Sequence, residues 1–149
     1  MVSGHRQCGF TLVELLVVLL ILGLVLVLVP TGFDRVMPSL GLKASVREAA
    51  AVFREARSLA VRGNRQAVVV INTEAKTYHL GSSADVYTLD QGYGVNLVAA
   101  ASEQLDDSTG RIRFFPDGSS TGGRLTLSKN ETKYHVVVDW LTGRAEIFD

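Results

Sequence analysis

The sequence predicts an α+β protein in which a long N-terminal helix packs on an antiparallel β-sheet domain. Three observations predict this class. An apolar run occupies residues 10–29, an apolar stripe with helical spacing starts at Ser45, and short strand-like segments separated by turn residues follow Asn64. Helical periodicity followed by a succession of strands is typical of a helix segregated from an antiparallel sheet. The length of 149 residues allows one domain and one appended segment.

The first element is the run "FTLVELLVVLLILGLVLVLV" at residues 10–29, in which Glu14 is the only charged residue. Twenty helical residues rise about 30 Å, the thickness of the hydrocarbon core of a bilayer. A cleaved secretory signal would have a shorter apolar core and a small-residue cleavage site. A lipoprotein signal would place its cysteine after the core, whereas Cys8 precedes it. The run is therefore interpreted as the transmembrane half of the N-terminal helix.

Glu14 needs an explanation of its own. An acidic side chain inside a membrane helix costs a few kcal/mol, and such residues usually have a partner and a function. The residues alone leave two explanations open. Glu14 either reaches the lipid headgroups from near the helix end, or it meets a positively charged partner.

The second element, residues 30–63, is interpreted as a linker followed by the amphipathic half of the helix. Four helix-weakening residues either end the membrane helix or kink it, namely Pro30, Gly32, Pro38 and Gly41. An apolar stripe with three- and four-residue spacing then predicts a helix with one buried face, formed by Val46, Ala49, Ala50, Phe53, Ala56 and Ala60. Four arginines fall largely outside the stripe and are expected on a solvated face, namely Arg47, Arg54, Arg57 and Arg62. Gly63-Asn64 is the expected helix end.

The third element, residues 64–149, has strand periodicity with short connections, which favours antiparallel pairing. The predicted strands are 67–72, 77–80, 86–89, 95–100, 111–115, 124–127, 134–140 and 144–148. Turn residues separate them, most clearly at 116–118 and 142–143. The segment Gly118–Gly123, "GSSTGG", is expected to be a mobile loop. Three aromatic residues are expected in the core, namely Tyr134, Trp140 and Phe148.

The N-terminal segment resembles a known processing signal. A short polar leader ending in Gly9, followed by Phe10-Thr11-Leu12-Val13-Glu14-Leu15-Leu16, resembles the prepilin signature of type IV pilins and type II secretion pseudopilins. The resemblance implies that a prepilin peptidase cuts between Gly9 and Phe10, removes residues 1–9 together with Cys8, and methylates the new amino terminus on Phe10. It also implies an assembly role for Glu14, which would meet the terminal amine of a neighbouring subunit.

Simple physics makes this role reasonable. Phe10 and Glu14 are one helical turn apart, so both lie on one side of the helix. In a medium of low dielectric constant, a carboxylate and an ammonium group attract strongly, whereas an unpaired carboxylate is penalised. Cleavage before Phe10 would create the ammonium group that the precursor lacks.

The C-terminal half carries a second resemblance. "IRFFPDGSSTGGRLTL" at residues 112–127 and "VDWLTGR" at residues 138–144 resemble the H-type minor pseudopilins of type II secretion, in the GspH/FimT group. The resemblance implies a pilin-like fold and a structural subunit, not an enzyme, of a periplasmic pseudopilus that helps export folded proteins. The loop containing Pro116, Asp117 and Gly118 is interpreted first as a hairpin connection and second as a subunit contact.

The resemblance also implies partners and a location. The expected partners are the prepilin peptidase, other major and minor pseudopilins, the inner-membrane secretion assembly platform and membrane lipid. The expected location is the bacterial inner membrane, crossed once, with residues 64–149 in the periplasm. Basic residues do not fix the orientation, because Arg6 precedes the apolar run while Arg35 and Lys43 follow it.

Two other functions are alternatives to this one. The first alternative is a minor type IV pilin used in pilus assembly, adhesion or DNA uptake. With 15 basic and 15 acidic residues the chain has no net charge, so nucleic acid is not an expected partner. The second alternative is a membrane-anchored enzyme. The sequence has no P-loop, dinucleotide fingerprint or nucleophile elbow, and His79 and His135 lack the spacing of zinc ligands. No catalytic residue, metal or cofactor is therefore expected.

Overall fold

The computed structural model describes residues 11–28, 30–81 and 83–149. The chain divides into two compact units, one up to Met37 and one from Pro38 onward. The first unit contains helix α1, Leu12–Leu28, and the first residues of helix α2, Pro30–Gly63. The 17 residues of α1 fall within the predicted membrane segment at 10–29. No helix in the described ranges is both long enough and apolar enough to cross a membrane.

Helix α2 continues through the helix-weakening positions. It starts at Pro30, where the missing N–H of proline is tolerated in the first turn, and it contains Pro38 and Gly41. Neither residue therefore ends the helix. The end lies where the sequence predicts it: Gly63 is the last helical residue and Asn64 adopts a left-handed conformation with φ of 45°. The Arg65 N–H then donates to the Ala60 carbonyl at 3.3 Å, which closes the helix with a Schellman-type bond.

Among its described residues, the second unit holds eight strands in two antiparallel four-stranded sheets. The first sheet has the order β3-β2-β1-β5 and the second has the order β4-β6-β7-β8. The strands are β1 Ala67–Asn72, β2 Thr77–Leu80, β3 Val86–Thr88, β4 Gly94–Ala99, β5 Thr109–Phe114, β6 Gly123–Lys129, β7 Thr132–Val138 and β8 Ala145–Phe148. Every predicted strand overlaps one of these, and the bounds of β1 and β2 match the prediction. Antiparallel pairing is confirmed for all six strand pairs.

The amphipathic part of α2 packs on these sheets. Its predicted stripe is confirmed, because all six residues from Val46 to Ala60 are at most 1% exposed. Alternating residues of β5 are buried. One of them, Phe114, packs against Phe53 of α2 with ring centroids 6.5 Å apart and ring planes tilted by 41°. Burial of each large apolar side chain contributes about 1.5–3 kcal/mol. The structure thus confirms the predicted α+β class with a helix packed on antiparallel sheets.

The prediction of a buried Trp140 and a buried Phe148 is wrong. Trp140 is 66% exposed and Phe148 is 48% exposed, whereas Tyr134 packs half-buried against the core. The physical reason for Trp140 is that β7 ends at Val138, two residues earlier than predicted. Trp140 therefore lies in the turn that leads to β8, beyond the alternation that directs strand residues inward.

Candidate functional site

The predicted processing and assembly residues lie at the N-terminal end of the chain. The scissile bond between Gly9 and Phe10, and the methylation position at Phe10, lie outside the described residues. Glu14 lies in the first turn of α1, where its N–H donates to the Thr11 hydroxyl at 3.3 Å. This bond caps the helix start. The Glu14 side chain is exposed and makes no hydrogen bond or ion pair with the described residues.

Helix α1 exposes apolar side chains on all its faces. From Leu12 to Leu24, its large apolar side chains are between 44% and 80% exposed. An amphipathic surface helix would bury one stripe of such residues and expose polar ones. Helix α1 is apolar on every side over this range and therefore lacks the polar face of such a surface helix.

The loop interpreted first as a hairpin connection and second as a subunit contact is a tight turn after β5. It does not join two paired strands, because β5 and β6 belong to different sheets, and the described antiparallel pairing across it is the bridge between Phe114 and Ser120. The Asp117 Oδ1 accepts the Ser119 N–H at 2.9 Å and the Ser119 hydroxyl at 2.6 Å, and these bonds hold the pKa of Asp117 below its usual value. Gly118 has a φ of 87°, in the left-handed region that favours glycine. Asp117 is exposed, Pro116 is half-buried and Gly118 is buried. Asp117 is therefore the residue of this turn that is most accessible to another molecule.

The segment Gly118–Gly123 is tied down by hydrogen bonds, contrary to the expectation of a mobile loop. The Ser120 N–H donates to the Trp140 carbonyl at 2.8 Å, and the Ser120 hydroxyl donates to the Asp139 carbonyl at 3.0 Å. The Thr121 N–H donates to the Arg113 carbonyl at 2.9 Å. The small glycine and serine residues let the backbone of this loop approach the turn at Asp139 and Trp140 closely. The local composition does not reveal that contact.

Arg57 of α2 joins two turns of the β-domain. Its Nε donates to the Gly118 carbonyl at 3.1 Å and to the Thr142 carbonyl at 2.9 Å. The sequence placed Arg57 on a solvated helix face, whereas the structure half-buries it between the β5–β6 and β7–β8 turns. Gly143 lets the two turns approach each other. It has a φ of 61°, and a side chain at this position would collide with the Gly118 carbonyl.

The turn between β7 and β8, residues 139–143, has a fixed backbone. The Asp139 Oδ1 accepts the N–H groups of Leu141 at 3.1 Å and Thr142 at 2.7 Å, as well as the Thr142 hydroxyl at 2.8 Å. These bonds, with the Thr142 backbone N–H the largest contributor, hold the pKa of Asp139 below its usual value. The turn displays Trp140 and Leu141, which are 66% and 64% exposed.

Replacing Arg57 by alanine is expected to loosen both turns. A hydrogen bond from a charged donor is worth about 1.5–3 kcal/mol, and partial exposure places the expected loss of unfolding free energy at about 1–2 kcal/mol. Urea unfolding of the full-length chain in mild detergent measures this loss. The amides of Gly118 and Gly143 should also exchange faster with deuterium.

Arg47 provides the matched control, because it lies on the same helix and is exposed. Arg47→Ala is expected to change the unfolding free energy by less than about 0.5 kcal/mol. Equal losses for the two variants, or unchanged exchange at Gly118 in Arg57→Ala, would contradict the bridging role.

A buried ionic cluster lies on the outer face of β5. Glu103, at the end of a short 3₁₀ turn at Ala101–Glu103, is 5% exposed. Its Oε1 accepts Arg113 Nε at 2.8 Å, and its Oε2 accepts Arg113 Nη2 at 3.2 Å. Arg111 Nε lies 2.9 Å from the same Oε2 without the alignment of a hydrogen bond. Arg113 Nη1 also donates to Gln66 at 2.9 Å, so the cluster connects the 3₁₀ turn, β5 and the start of β1.

This cluster was missed by sequence reasoning. Arg111 and Arg113 alternate with buried Ile112 along β5, a period-two pattern that places both arginines on one face. Nothing local marks Glu103 as their partner. Within residues 11–28, 30–81 and 83–149, no group of three or more His, Cys, Asp or Glu side chains is placed to hold a metal ion.

Comparison with known proteins extends these observations. The sequence model of the family "Type II transport protein GspH" matches residues 45–142, and that of the "Prokaryotic N-terminal methylation motif" matches residues 4–30. The chain is 28% identical over 137 residues to the type II secretion system protein H of Xanthomonas campestris pv. campestris, covering 91% of this chain and 79% of that protein.

Solved structures show the same fold at low identity. The minor pseudopilin EpsH of Vibrio cholerae superposes with a TM-score of 0.57 at 11% identity, over 71% of this chain and 94% of EpsH. The type IV minor pilin FimU of Pseudomonas aeruginosa superposes with a TM-score of 0.56 at 12% identity, over 72% of this chain and 88% of FimU. Because the family model matches residues 45–142, more than half of the chain, the resemblance predicted from the sequence is confirmed, and the chain belongs to the GspH family of type II transport proteins.

Proposed function

We propose that this protein is a minor pseudopilin of the type II secretion system, a structural subunit of a short periplasmic filament that helps export folded proteins across the outer membrane. The observation that carries the proposal is the presence in one chain of both family matches, the GspH match over residues 45–142 and the N-terminal methylation motif over residues 4–30. Its role is mechanical, and no catalytic residue is assigned.

The N-terminal methylation motif supports processing by a prepilin peptidase. In the proposal the peptidase cuts between Gly9 and Phe10, and Phe10 becomes the methylated amino terminus. The apolar surface of α1 supports insertion of residues 10–29 in the inner membrane before assembly. There the helix would meet lipid and the assembly platform, and in the filament it would pack against the helices of other pseudopilins.

Glu14 is proposed to guide assembly through charge. Its exposed carboxylate makes no hydrogen bond or ion pair with the described residues. The cap of α1 uses the Glu14 N–H and the Thr11 hydroxyl, and the carboxylate takes no part in it. In an apolar environment an unpaired carboxylate is costly, so a neighbouring subunit that presents a methylated ammonium group would be favoured over one that retains its leader. A further contact with a neighbouring subunit is proposed at the turn formed by Pro116, Asp117 and Gly118, where Asp117 is the accessible residue.

Replacement of Glu14 by alanine tests this proposal. The variant should still be processed, but its incorporation into filaments should fall about tenfold or more, because loss of one charge pair in low dielectric exceeds about 1.4 kcal/mol. The measurement is quantitative immunodetection of the full-length variant in isolated filaments, with mass spectrometry of the N-terminus to establish processing.

The control is Glu55→Ala, which removes an exposed carboxylate from α2 and should leave incorporation unchanged. Incorporation of Glu14→Ala at the wild-type level would refute the charge-guided step. An intact leader on the wild-type protein in isolated filaments would refute the processing step and the proposed function with it.

The second candidate is a minor type IV pilin. The two FimU structures favour it, because they superpose with TM-scores of 0.56 and 0.52, close to the value for EpsH. Deletion of the gene separates the two functions. Loss of secreted proteins without loss of pili or DNA uptake supports the pseudopilin, and the converse result supports the pilin.

A further inference from the structure

Two large apolar side chains stand side by side at the tip of the 139–143 turn. Trp140 and Leu141 are each about two-thirds exposed. Single exposed apolar residues are common on protein surfaces. An adjacent tryptophan and leucine on a turn whose backbone is fixed are less common. Aromatic side chains that become buried when a partner binds contribute most of the binding energy of many protein interfaces.

The turn is preorganised from three directions. The Asp139 carboxylate holds it from within, Ser120 holds it from the neighbouring loop, and Arg57 holds it from α2. Gly122, with a φ of 69°, lets the turn close onto β6, since a Cβ at this position would lie 3.0 Å from the Trp140 Cβ. Little backbone entropy remains to be lost when a partner binds, and preorganisation of this kind increases affinity.

The surface beside the turn is apolar on one side and basic on the other. On one side, Trp140 borders a groove of about 560 Å³ that also contains Val98, which is 59% exposed, and Arg124. On the other side, a cleft of about 370 Å³ is lined by Arg54, Arg57, Gly143, Arg144, Ala145 and Glu146.

The charges in this cleft are unbalanced. Three arginines face a single carboxylate, that of Glu146. Arg57 Nε is engaged by the two turns, and Arg54 Nη2 donates to the Ala145 carbonyl at 3.4 Å. The Arg144 side chain makes no hydrogen bond or ion pair with any part of the chain that the structure describes. Arginine pairs well with carboxylates, so the cleft is complementary to an acidic side chain.

We propose that residues 139–143, together with Arg54 and Arg144, form a docking surface for a neighbouring protein subunit that presents an apolar pocket bordered by carboxylates. Trp140 and Leu141 would fill the pocket, and the two arginines would pair with the carboxylates at its edge. The inference rests on the proposed function in one respect, namely that the neighbour is another subunit of the same filament.

The charges of the surface favour a protein over a membrane. A flat anionic membrane could contact Trp140 and Leu141 together with the exposed side chains of Arg54 and Arg144. The Glu146 carboxylate and the Asp139 carboxylate would also face the anionic headgroups. An acidic side chain of a protein can enter the cleft and leave both carboxylates in water.

Photo-cross-linking in native filaments tests the inference. Benzoylphenylalanine replaces Leu141 in the full-length chain, the cells are irradiated, and adducts are identified by mass spectrometry. The expected adduct joins this position to a peptide that contains aspartate or glutamate in another pilin-like subunit. Combination with Trp140→Ala should reduce its yield about 30-fold, and combination with Arg144→Glu should reduce it about tenfold.

Matched controls separate docking from folding. Arg47→Glu reverses an exposed charge on α2 outside both grooves and should leave the yield unchanged, and benzoylphenylalanine at Phe148 should give no such adduct. Trp140→Ala should keep the wild-type unfolding midpoint, because its side chain is largely exposed.

Adducts only with lipid or nucleic acid would overturn the inference, as would a yield that neither Trp140→Ala nor Arg144→Glu reduces. If the wild-type protein enters filaments and these results are found, the docking surface is wrong while the proposed function stands. If the wild-type protein never enters filaments, both are wrong.

Discussion

Replacing Phe114 by alanine is expected to lower the free energy of unfolding by about 3–5 kcal/mol, the range found for large aromatic residues in cores. Phe114 is fully buried at the end of β5 and meets Phe53 of α2 with ring centroids 6.5 Å apart. The substitution removes the contact between the Phe114 and Phe53 rings and leaves a cavity between β5 and α2. Since β1 on one side and α2 on the other fix the positions of the surrounding residues, little relaxation can fill it.

The measurement is urea unfolding of the full-length chain in mild detergent, followed by circular dichroism. Phe148→Ala is the matched control, because it removes the same ring from a β-strand of the same unit at a position that is 48% exposed. Its expected loss is below about 1.5 kcal/mol, in proportion to the smaller area that it buries. Similar losses for the two variants would mean that the contact between α2 and β5 does not carry the stability assigned to it.

Replacing Glu103 by glutamine is expected to lower the free energy of unfolding by about 2–3 kcal/mol at neutral pH. The change keeps the shape of the side chain but removes the charge that balances Arg111 and Arg113. Loss of one partner of a buried pair costs about 3–5 kcal/mol, and the two arginine side chains, 27% and 22% exposed, recover part of this through water. Glu131→Gln, at an exposed position in the β6–β7 turn, is the control and should have little effect.

The same cluster predicts a dependence of stability on pH. The hydrogen bonds from Arg113, and the positive charges of Arg113 and Arg111, hold the pKa of Glu103 below its ordinary value. The unfolded chain therefore binds the Glu103 proton at a higher pH than the folded chain does. The stabilisation is fully present above about pH 5, and it is lost as the pH falls below the ordinary glutamate pKa of about 4.3 and through the lowered value.

Unfolding free energies of wild type and Glu103→Gln, measured between pH 7 and pH 3, test this dependence. The difference between the two proteins should shrink as the solution becomes acidic, because protonated glutamic acid and glutamine are both neutral. A difference that stays constant down to pH 3 would show that the pairing of charges does not stabilise the fold.

The helix and the strands were predictable because their signals are local. The stripe from Val46 to Ala60 repeats every three or four residues, and all of its members are buried. Turn residues mark the strand ends, and β1 and β2 have the predicted bounds. The end of α2 was also predictable, since Asn64 adopts the left-handed conformation with little cost. Each of these features depends on residues within one turn or one strand.

Predictions failed where a residue depends on a distant segment. The sequence predicts Trp140 in the core as the last residue of a strand at 134–140, but β7 ends at Val138 and Asp139 starts a turn. The loop at Gly118–Gly123 was expected to be mobile because of its composition, but Arg57 and the 139–143 turn hold it. Local composition carries no information on what a loop will meet.

The sequence by itself determined the apolar N-terminal helix with its single acid, the processing motif before it, and the succession from helix to antiparallel strands. These follow from periodicity and residue type over short stretches of chain. Only the tertiary structure decided that Arg57 bonds to a carbonyl 85 residues away, that Arg113 reaches Gln66 47 residues earlier, and that Trp140 stays exposed. Charge pairing and exposure depend on which distant segments are in contact, and the packing of the whole domain determines these contacts.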